Sequence, residues 1–173
     1  RLGSELGVLG LSVPEADGGV GGSLVDQAVA VEEFGAALAC GPLFGTVFLA
    51  VPALVACPAG PARDELLTEL VEGTRTAAFA VPDAAGAFNP AAVTVTAADN
   101  TVTGTVERVV DAGAADELLV AALGPDGPGL YAVAAGSAGV TRTPPGPLDL
   151  TRPQAPVGPA AALLRGPRPC RKI

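Results

Sequence analysis

A glycine-rich loop between residues 13 and 23 is the first part of the chain whose residue types could bind a ligand. It reads Val-Pro-Glu-Ala-Asp-Gly-Gly-Val-Gly-Gly-Ser and leads directly into an amphipathic helix. Because a helix N-terminus offers free N–H groups and the positive end of a dipole, such a loop could cradle a phosphate. The same glycines could equally provide positive-φ turns in a hinge between two packed helices.

The charges and the spacing around this loop favour the hinge. Asp17 precedes the glycines and Asp26 lies in the first helical turn, so both carboxylates would repel an anion. No Lys or Arg occurs between Leu2 and Ala62. The dinucleotide-binding pattern fails because Leu24 occupies the place of its third glycine, and no Gly-Lys-Ser/Thr follows. We therefore predict that this loop binds no phosphate.

The remaining candidate groups point away from several kinds of catalysis. Glu32 and Glu33 are adjacent carboxylates, but neighbouring helix positions diverge, so we interpret them as a solvated edge. The chain has no His, which excludes Ser-His-Asp and Cys-His catalysis and His-containing metal sites. Cys40, Cys57 and Cys170 are scattered and odd in number. We therefore expect reduced thiols and a cytoplasmic location, with no metal site.

Composition narrows the class of protein further. A net charge of −8 over 173 residues argues against nucleic acid and anionic membranes as partners. The apolar run from Leu43 to Cys57 is shorter than the ~20 residues that a membrane span needs and contains Pro52, so it predicts a buried helix. The chain contains no Met and opens within an apparent helix, Leu2 to Leu9, that has no capping residue before it. We expect it to be an internal piece of a longer protein.

The first 73 residues read as helical. Ser23 and Asp26 form an N-terminal capping signal for a helix that runs to about Leu38. A second helix covers the apolar run, and a third is opened by Pro61 and closed by Gly73. The face of the first helix at helical spacing is Leu24, Ala28, Val31, Gly35 and Leu38, and the buried stripe of the third is Leu66, Leu67, Leu70 and Val71.

From Thr76 the apolar pattern changes to short β-like runs. These are residues 76–81, 92–96, 101–106, 117–123 and 130–134, and Asp99-Asn100 suggests a hairpin. Helices followed by strands predict an α+β fold, with a partial N-terminal helical domain at 1–73 and a small antiparallel β-barrel or sandwich at 74–157. Residues 158–173 are rich in Arg and Pro, so we expect a disordered tail, which a shifted reading frame or a spliced end would explain.

The order of these elements, with several motifs, resembles the acyl-CoA dehydrogenase family. The segment from Glu5 to Glu15, then Asp17-Gly18-Gly19 and Glu32-Glu33-Phe34-Gly35, is similar to that family's N-terminal pattern. Residues 66–76 are similar to the helix that leads into its middle β-domain. Thr103-Gly104 and residues 115–122 match the central strands of that domain. The resemblance covers residues 1 to about 157.

This resemblance implies an FAD-linked oxidoreductase that dehydrogenates an acyl-CoA thioester at its Cα–Cβ bond. In the family a Glu carboxylate removes the α-proton, and the β-hydrogen leaves as hydride to the flavin. The flavin supplies the redox chemistry, and the protein orients the reacting groups. The metabolism is that of fatty acids or sterol side chains. The implied partners are an acyl-CoA substrate, another acyl-CoA dehydrogenase chain in a homo- or hetero-oligomer, and an electron-transfer flavoprotein. The family's catalytic base lies in a C-terminal helical bundle that we expect to be missing here, so no catalytic residue is assigned.

The flavin motifs depart from the family pattern. The family's Thr-Glu-Pro loop corresponds to residues 81–88, where Val81, Asp83 and Gly86 would be the cofactor-binding positions. Its Trp-Ile-Thr corresponds to Arg108, Val109 and Val110, so the aromatic ring and the hydroxyl are absent. Arg108 could stack on a flavin or pair with its phosphates. It could also be a surface charge beside Glu107.

Two functions remain open from the sequence. The chain could be a fragment of an acyl-CoA dehydrogenase that is inactive alone, with its own flavin site decayed beside an intact partner chain. Alternatively, it could be a non-catalytic subunit or interaction domain that keeps the fold without flavin. Because a chain of this extent lacks the bundle that covers the family's helices, we also expect exposed apolar surface.

Overall fold

The computed structural model describes residues 7–39, 41, 43–81, 93–142 and 154–163 of the chain. Short 3-10 turns at Val8–Gly10 and Glu15–Asp17 precede the first helix. Helix α1 spans Leu24–Ala36. Helix α2 is a π-helical turn, Phe44–Ala50, followed directly by an α-helix, Val51–Val55, and helix α3 spans Pro61–Val71. The order of predicted helices is therefore confirmed, although the first helix begins at Leu24 and the predicted Leu2 to Leu9 helix lies mostly outside the described residues.

Local signals determine where α1 and α3 begin. The Ser23 side chain accepts a hydrogen bond from the Asp26 N–H, while the Ser23 N–H donates to Asp26 Oδ2 at 2.7 Å, which completes a capping box. Hydrogen bonds from the Ser23 hydroxyl and the Ser23 N–H to the Asp26 carboxylate lower the pKa of Asp26, and the hydroxyl contributes most. Pro61 begins α3, where a missing N–H costs nothing.

Most of the apolar stripe named from the sequence lies in solvent. Leu24 is 72% exposed and Leu38 77% exposed, whereas the buried residue of the helix is Gln27, which is 7% exposed. The half-buried side chains Ala30, Val31 and Phe34 lie on the packed side. Packing therefore rotates the helix so that a strongly apolar face remains in solvent.

Eight strands are described after α3. They are β1 (Ala77–Ala80), β2 (Thr96–Ala98), β3 (Thr101–Thr103), β4 (Val106–Val110), β5 (Glu117–Gly124), β6 (Gly127–Ala134), β7 (Val140–Arg142) and β8 (Gln154–Leu163). Most pairs are antiparallel, including β2 with β3 and β5 with β6. The exceptions are β1 and β2, which each pair parallel with β5, so the sheet is mixed. The α+β fold class is confirmed.

The chain buries its apolar residues in two clusters that share strand β5. Leu118 and Val120 belong to a core within the β region, while Leu119 belongs to a core with α2 and α3. Successive residues of a strand point to opposite faces, so one strand contributes to both clusters. Coverage of both faces explains why residues 117–122 are buried throughout and read as a nearly continuous apolar run.

The Asp99-Asn100 hairpin is confirmed. Both residues have positive φ, 48° and 59°, which is the geometry of a type I′ turn between β2 and β3. The expected strand at 92–96 begins only at Thr96 in the described residues, and the expected strand at 101–106 divides into β3 and β4.

Two expectations are wrong. The predicted disordered tail at 158–173 starts too early, because β8 continues to Leu163 and pairs with β3, β4 and β7; residues 164–173 lie outside the described residues. Cys57 is buried and disulfide-bonded, so it is not a reduced thiol. The cytoplasmic location rested on reduced thiols and stays a prediction.

No helix among the described residues is long and apolar enough to cross a membrane.

Candidate functional site

The glycine-rich loop uses its own backbone donors to hold itself together. Gly19 N–H donates to the carbonyl of Pro14, Gly21 N–H to that of Val13, and Gly22 N–H to that of Leu11, at 2.8–3.1 Å. A Cβ at Gly19 would lie 2.1 Å from the Val13 carbonyl oxygen, so only glycine fits this close approach. A phosphate cradle needs these N–H groups free, and they are occupied. The geometry agrees with the hinge.

The loop is also held by a cation that is distant in sequence. Both Nη atoms of Arg63 donate to the Asp17 carboxylate, at 2.7 and 2.9 Å, and its Nε donates to the Leu54 carbonyl at 3.1 Å. The hydrogen bonds from Arg63 lower the pKa of Asp17, and the same bonds raise the pKa of Arg63. Sequence analysis missed this ion pair, because nothing local marks Arg63 as the partner of a carboxylate 46 positions away.

The cofactor residues predicted from the family pattern fall on two strands. Arg108, Val109 and Val110 end β4, and Val81 follows the last residue of β1, while Asp83 and Gly86 lie outside the described residues. Strand β4 contacts β1. The structure therefore brings the two strands together.

Two side chains fix how these strands meet α2. Asp111, which directly follows β4 and is 3% exposed, accepts a hydrogen bond from the Gly45 N–H at 2.8 Å. The Thr46 hydroxyl donates to the Ala77 carbonyl and accepts from the Ala77 N–H, both at 3.0 Å. Because residues 45 and 46 are neighbours, the end of β4 lies beside the start of β1. Val81 follows the other end of β1, about 13 Å along the strand from Ala77.

Pro52 leaves one carbonyl of the π-helical turn of α2 without a backbone donor. In the π register Val51 N–H bonds to the Thr46 carbonyl, so the Val47 carbonyl would need the N–H of residue 52, which is proline. The side-chain amide of Gln27 supplies the missing donor at 3.2 Å. This explains why a glutamine is the buried residue of α1. No signal in the sequence identified Gln27.

The three predicted flavin positions on β4 do not offer what a flavin ring needs. Arg108 is exposed, with φ +54°, at an irregularity where the pairing of β4 with β8 shifts between Val106 and Val109. Val109 is 3% exposed and belongs to the β core, and Val110 is half-buried. These three residues present one guanidinium, no hydroxyl and no aromatic ring. This described part of the predicted site does not fit a flavin.

The buried and paired carboxylates of the described residues have structural roles. Asp111 accepts a hydrogen bond from the backbone of α2, and the fully buried Glu117 forms an ion pair with Arg75. Asp17 and Asp26 have lowered pKa values. A base that removes an α-proton needs a pKa near the working pH, so a lowered pKa is the opposite of the requirement. Within the described residues no cluster of His, Cys, Asp or Glu could hold a metal ion.

Comparison with known proteins agrees with the order of elements. The sequence pattern of "Acyl-CoA dehydrogenase, N-terminal domain" matches residues 1–74. The acyl-CoA dehydrogenase IpdE2 of Mycobacterium tuberculosis is 42% identical over 80 residues, which cover 46% of this chain and 24% of that protein.

Solved structures extend the likeness beyond the helical region. A variant of the Tcur3481–Tcur3483 steroid ACAD is 28% identical with a TM-score of 0.76, covering 94% of this chain and 45% of the other. The ChsE4–ChsE5 complex of Mycobacterium tuberculosis is 27% identical with a TM-score of 0.74, covering 92% and 44%. An acyl-CoA dehydrogenase from Bacillus anthracis complexed with FAD has a TM-score of 0.75 at 21% identity, covers 94% and 30%, and shows the fold alone.

The fold is that of the acyl-CoA dehydrogenases, a class of flavin-dependent oxidoreductases. Residues 1–74 match the N-terminal domain of that family, and the described residues share the fold of its solved members, so the chain is similar to the acyl-CoA dehydrogenases in both sequence and fold. It spans less than half the length of these solved structures, and its match spans about a quarter of the curated relative.

Proposed function

We propose that this chain takes part in the FAD-linked dehydrogenation of an acyl-CoA thioester and has no dehydrogenase activity alone. The observation that carries the proposal is the agreement of the family pattern at residues 1–74 with the fold of a steroid ACAD over 94% of the chain. The name of that similar structure supports a steroid-derived acyl group in the substrate. An electron-transfer flavoprotein remains the proposed electron acceptor.

The interactions of the carboxylates support the lack of activity in the isolated chain. A Glu or Asp acting as base needs access to the substrate and a pKa near the working pH. Asp111 and Glu117 are buried in structural contacts, and hydrogen bonds lower the pKa of Asp17 and Asp26. We propose that the base comes from another part of the assembly. The partner is a second acyl-CoA dehydrogenase chain, in line with the two-protein complex among the similar structures.

A second candidate function is a non-catalytic subunit that has lost its own flavin site. The burial of Val109 and the lack of a hydroxyl or ring at 108–110 favour it. Under this proposal, the chain stabilises a partner chain whose flavin does the chemistry. The two candidates differ in whether this chain contributes contacts to a bound flavin.

Flavin titration separates the candidates. We expect the full chain alone to take up no stoichiometric FAD, measured by flavin absorbance after gel filtration. The double variant Arg108→Trp/Val110→Thr restores the residue types of the family pattern, so it should raise FAD affinity if this chain contributes flavin contacts. Glu107→Gln, which changes an exposed neighbour, is the matched control and should change nothing.

The outcomes are distinct. Stoichiometric FAD uptake by the unmodified chain, or reduction of an artificial electron acceptor by the chain alone with an acyl-CoA, would contradict the proposal of inactivity. Activity that appears only after a second acyl-CoA dehydrogenase chain is added supports the first candidate when the Arg108→Trp/Val110→Thr variant also gains FAD affinity. Activity with a partner and no effect of that variant supports the non-catalytic subunit.

A further inference from the structure

We propose that the guanidinium of Arg108, at a β-bulge near the end of β4, binds a phosphate group of a nucleotide ligand. The proposal rests on the proposed function only for the class of ligand, because FAD and an acyl-CoA both carry a pyrophosphate attached to adenosine. It concerns a phosphate and not the flavin ring, which residues 108–110 do not fit.

The bulge turns two successive side chains of β4 into solvent. From Val106 to Val109 the pairing advances three residues along β4 but only two along β8, so β4 contains one extra residue. Glu107 and Arg108 are both exposed between the buried Val106 and Val109, where a regular strand would alternate. Bulges of this kind re-aim a side chain, and here one of the two is a guanidinium.

Strand pairing explains the bulge but not the arginine in it. The residue of β8 opposite the bulge is Pro156, which has no N–H to give to the ladder. Arg108 has φ +54°, a left-handed conformation that glycine adopts without strain and that Asp or Asn tolerates. A long side chain held in this conformation is strained, and such strain is concentrated at binding and active sites. A ligand for the guanidinium accounts for an arginine at this position.

The Arg108 side chain is available to a ligand. The other described arginines, Arg63, Arg75 and Arg142, donate to carboxylates or to backbone carbonyls. Arg108 forms no ion pair or hydrogen bond with any residue that the structure describes, including its exposed neighbour Glu107. Its N–H groups therefore point into solvent, where a ligand can reach them.

The charges around the bulge favour an anion at Arg108. Strands β1 and β8, which contact β4, contain no Asp or Glu. Asp111, three residues further along the chain, uses its Oδ2 to accept the Gly45 N–H. A guanidinium can donate two parallel N–H bonds to two oxygens of one phosphate, which makes arginine well suited to this group.

A small phosphate ligand suits this position better than an acidic protein surface. The chain has a net charge of −8, so an acidic partner protein would bring many like charges to the contact. A nucleotide concentrates its negative charge on its phosphates and can place that charge at one guanidinium. ADP, the part that FAD and coenzyme A share in chemical class, is therefore the first probe.

Equilibrium titration of the full chain with ADP tests the proposal, because binding by one exposed guanidinium is too weak to survive gel filtration. Binding is followed by NMR, and the backbone amide shifts should centre on residues 106–110. Arg108→Gln should weaken ADP binding at least about tenfold, which corresponds to about 1.4 kcal/mol. Arg108→Lys keeps the charge but loses the planar pair of donors, so its affinity should lie between the two. Glu107→Gln changes the other exposed residue of the bulge and is the matched control, which should bind ADP at least as tightly as the unmodified chain.

Arg108→Gly separates ligand binding from folding. Glycine relieves the left-handed strain, so this variant should melt about 2–4 °C higher while it loses ADP binding as Arg108→Gln does. An arginine with only a structural role would not move the melting temperature and the affinity in opposite directions.

Further probes distinguish the two sources of the phosphate. Riboflavin and pantetheine lack phosphate and should not shift the amides of residues 106–110. Tighter binding of FAD than of coenzyme A assigns the phosphate to the flavin nucleotide, and the reverse order assigns it to the thioester substrate. Either order supports the proposal when Arg108→Gln weakens the binding.

Four results would overturn the proposal. These are no ADP binding, ADP binding that Arg108→Gln leaves unchanged, amide shifts in the glycine-rich loop at 13–23 instead of at 106–110, and tighter binding of a glutamate-rich peptide than of ADP. Dehydrogenase activity in an assembly without ADP binding at Arg108 would refute this inference alone. ADP binding at Arg108 with no activity in any assembly would refute the proposed function alone.

Discussion

Asp111 joins the end of β4 to the N-terminus of α2, and its replacement tests how strongly one carboxylate connects the helical and β regions. Its Oδ2 accepts the Gly45 N–H at 2.8 Å, it is 3% exposed, and its φ is +60°. A hydrogen bond to a buried charged acceptor contributes about 1.5–3 kcal/mol. Alanine at a left-handed position costs about 1 kcal/mol more. Asp111→Ala should therefore lower the free energy of unfolding by about 3 kcal/mol.

Two matched variants separate the side chain from the backbone. Asp111→Asn keeps an acceptor oxygen and tolerates positive φ, so it should lose only about 1 kcal/mol. Asp111→Gly loses the acceptor but relieves the strain, so it should be about 1 kcal/mol more stable than Asp111→Ala. The expected order of stability is unmodified chain, Asn, Gly, Ala.

Urea denaturation followed by circular dichroism measures this order. With an m-value of about 2 kcal/mol/M, Asp111→Ala should lower the midpoint by roughly 1.5 M. Hydrogen exchange at the Gly45 amide should be slow in the unmodified chain and in Asp111→Asn, and faster in Asp111→Ala. If Asp111→Ala were as stable as Asp111→Asn, the carboxylate would not be connecting the two regions and the reasoning would be refuted.

Three further changes follow from the site geometry. Gln27→Leu should lower the free energy of unfolding by about 1–3 kcal/mol in urea denaturation, because the buried Val47 carbonyl of α2 loses its donor; an unchanged midpoint would contradict this role of Gln27. Because Arg63 lowers the pKa of Asp17, the ion pair stabilises the fold above pH 3.8 and loses that contribution as the pH falls through the lowered pKa. The urea midpoints of Asp17→Asn and the unmodified chain should differ at pH 6 and converge near pH 2, and a constant difference would contradict this. Gly19→Ala should lower the free energy of unfolding by about 1–3 kcal/mol, because its Cβ would overlap the loop backbone. Gly18→Asn should change the free energy of unfolding little, because Gly18 has φ +82° and open space around it. Equal effects of the two variants would refute the argument that only glycine fits at residue 19.

Much of the fold could be predicted because its signals are local. Ser23 and Asp26 are three residues apart and form the capping box that begins α1. Asp99 and Asn100 accept positive φ, so their adjacency alone indicates the hairpin. The glycine loop was predicted not to bind phosphate from its acidic neighbours, and its backbone geometry agrees.

The missed features join residues that are far apart in sequence. The part of β8 from Gly158 onward was expected to belong to a disordered tail, because residues 158–173 are rich in Arg and Pro and have no apolar period; pairing with β3 and β7 overrides that local preference. The face of α1 was misjudged for a related reason. Helical spacing identifies apolar stripes, but only the neighbouring helix decides which one is buried.

The sequence by itself indicated the resemblance to the acyl-CoA dehydrogenases and the order of helices and strands, and its lack of histidine excluded histidine chemistry. Tertiary structure alone decided that Arg63 pairs with Asp17, that Asp111 binds α2, and that Val109 is buried in the β core. The reason is physical. Capping and turn signals act within a few residues, whereas a buried charge or carbonyl takes whichever partner the packed chain brings to it.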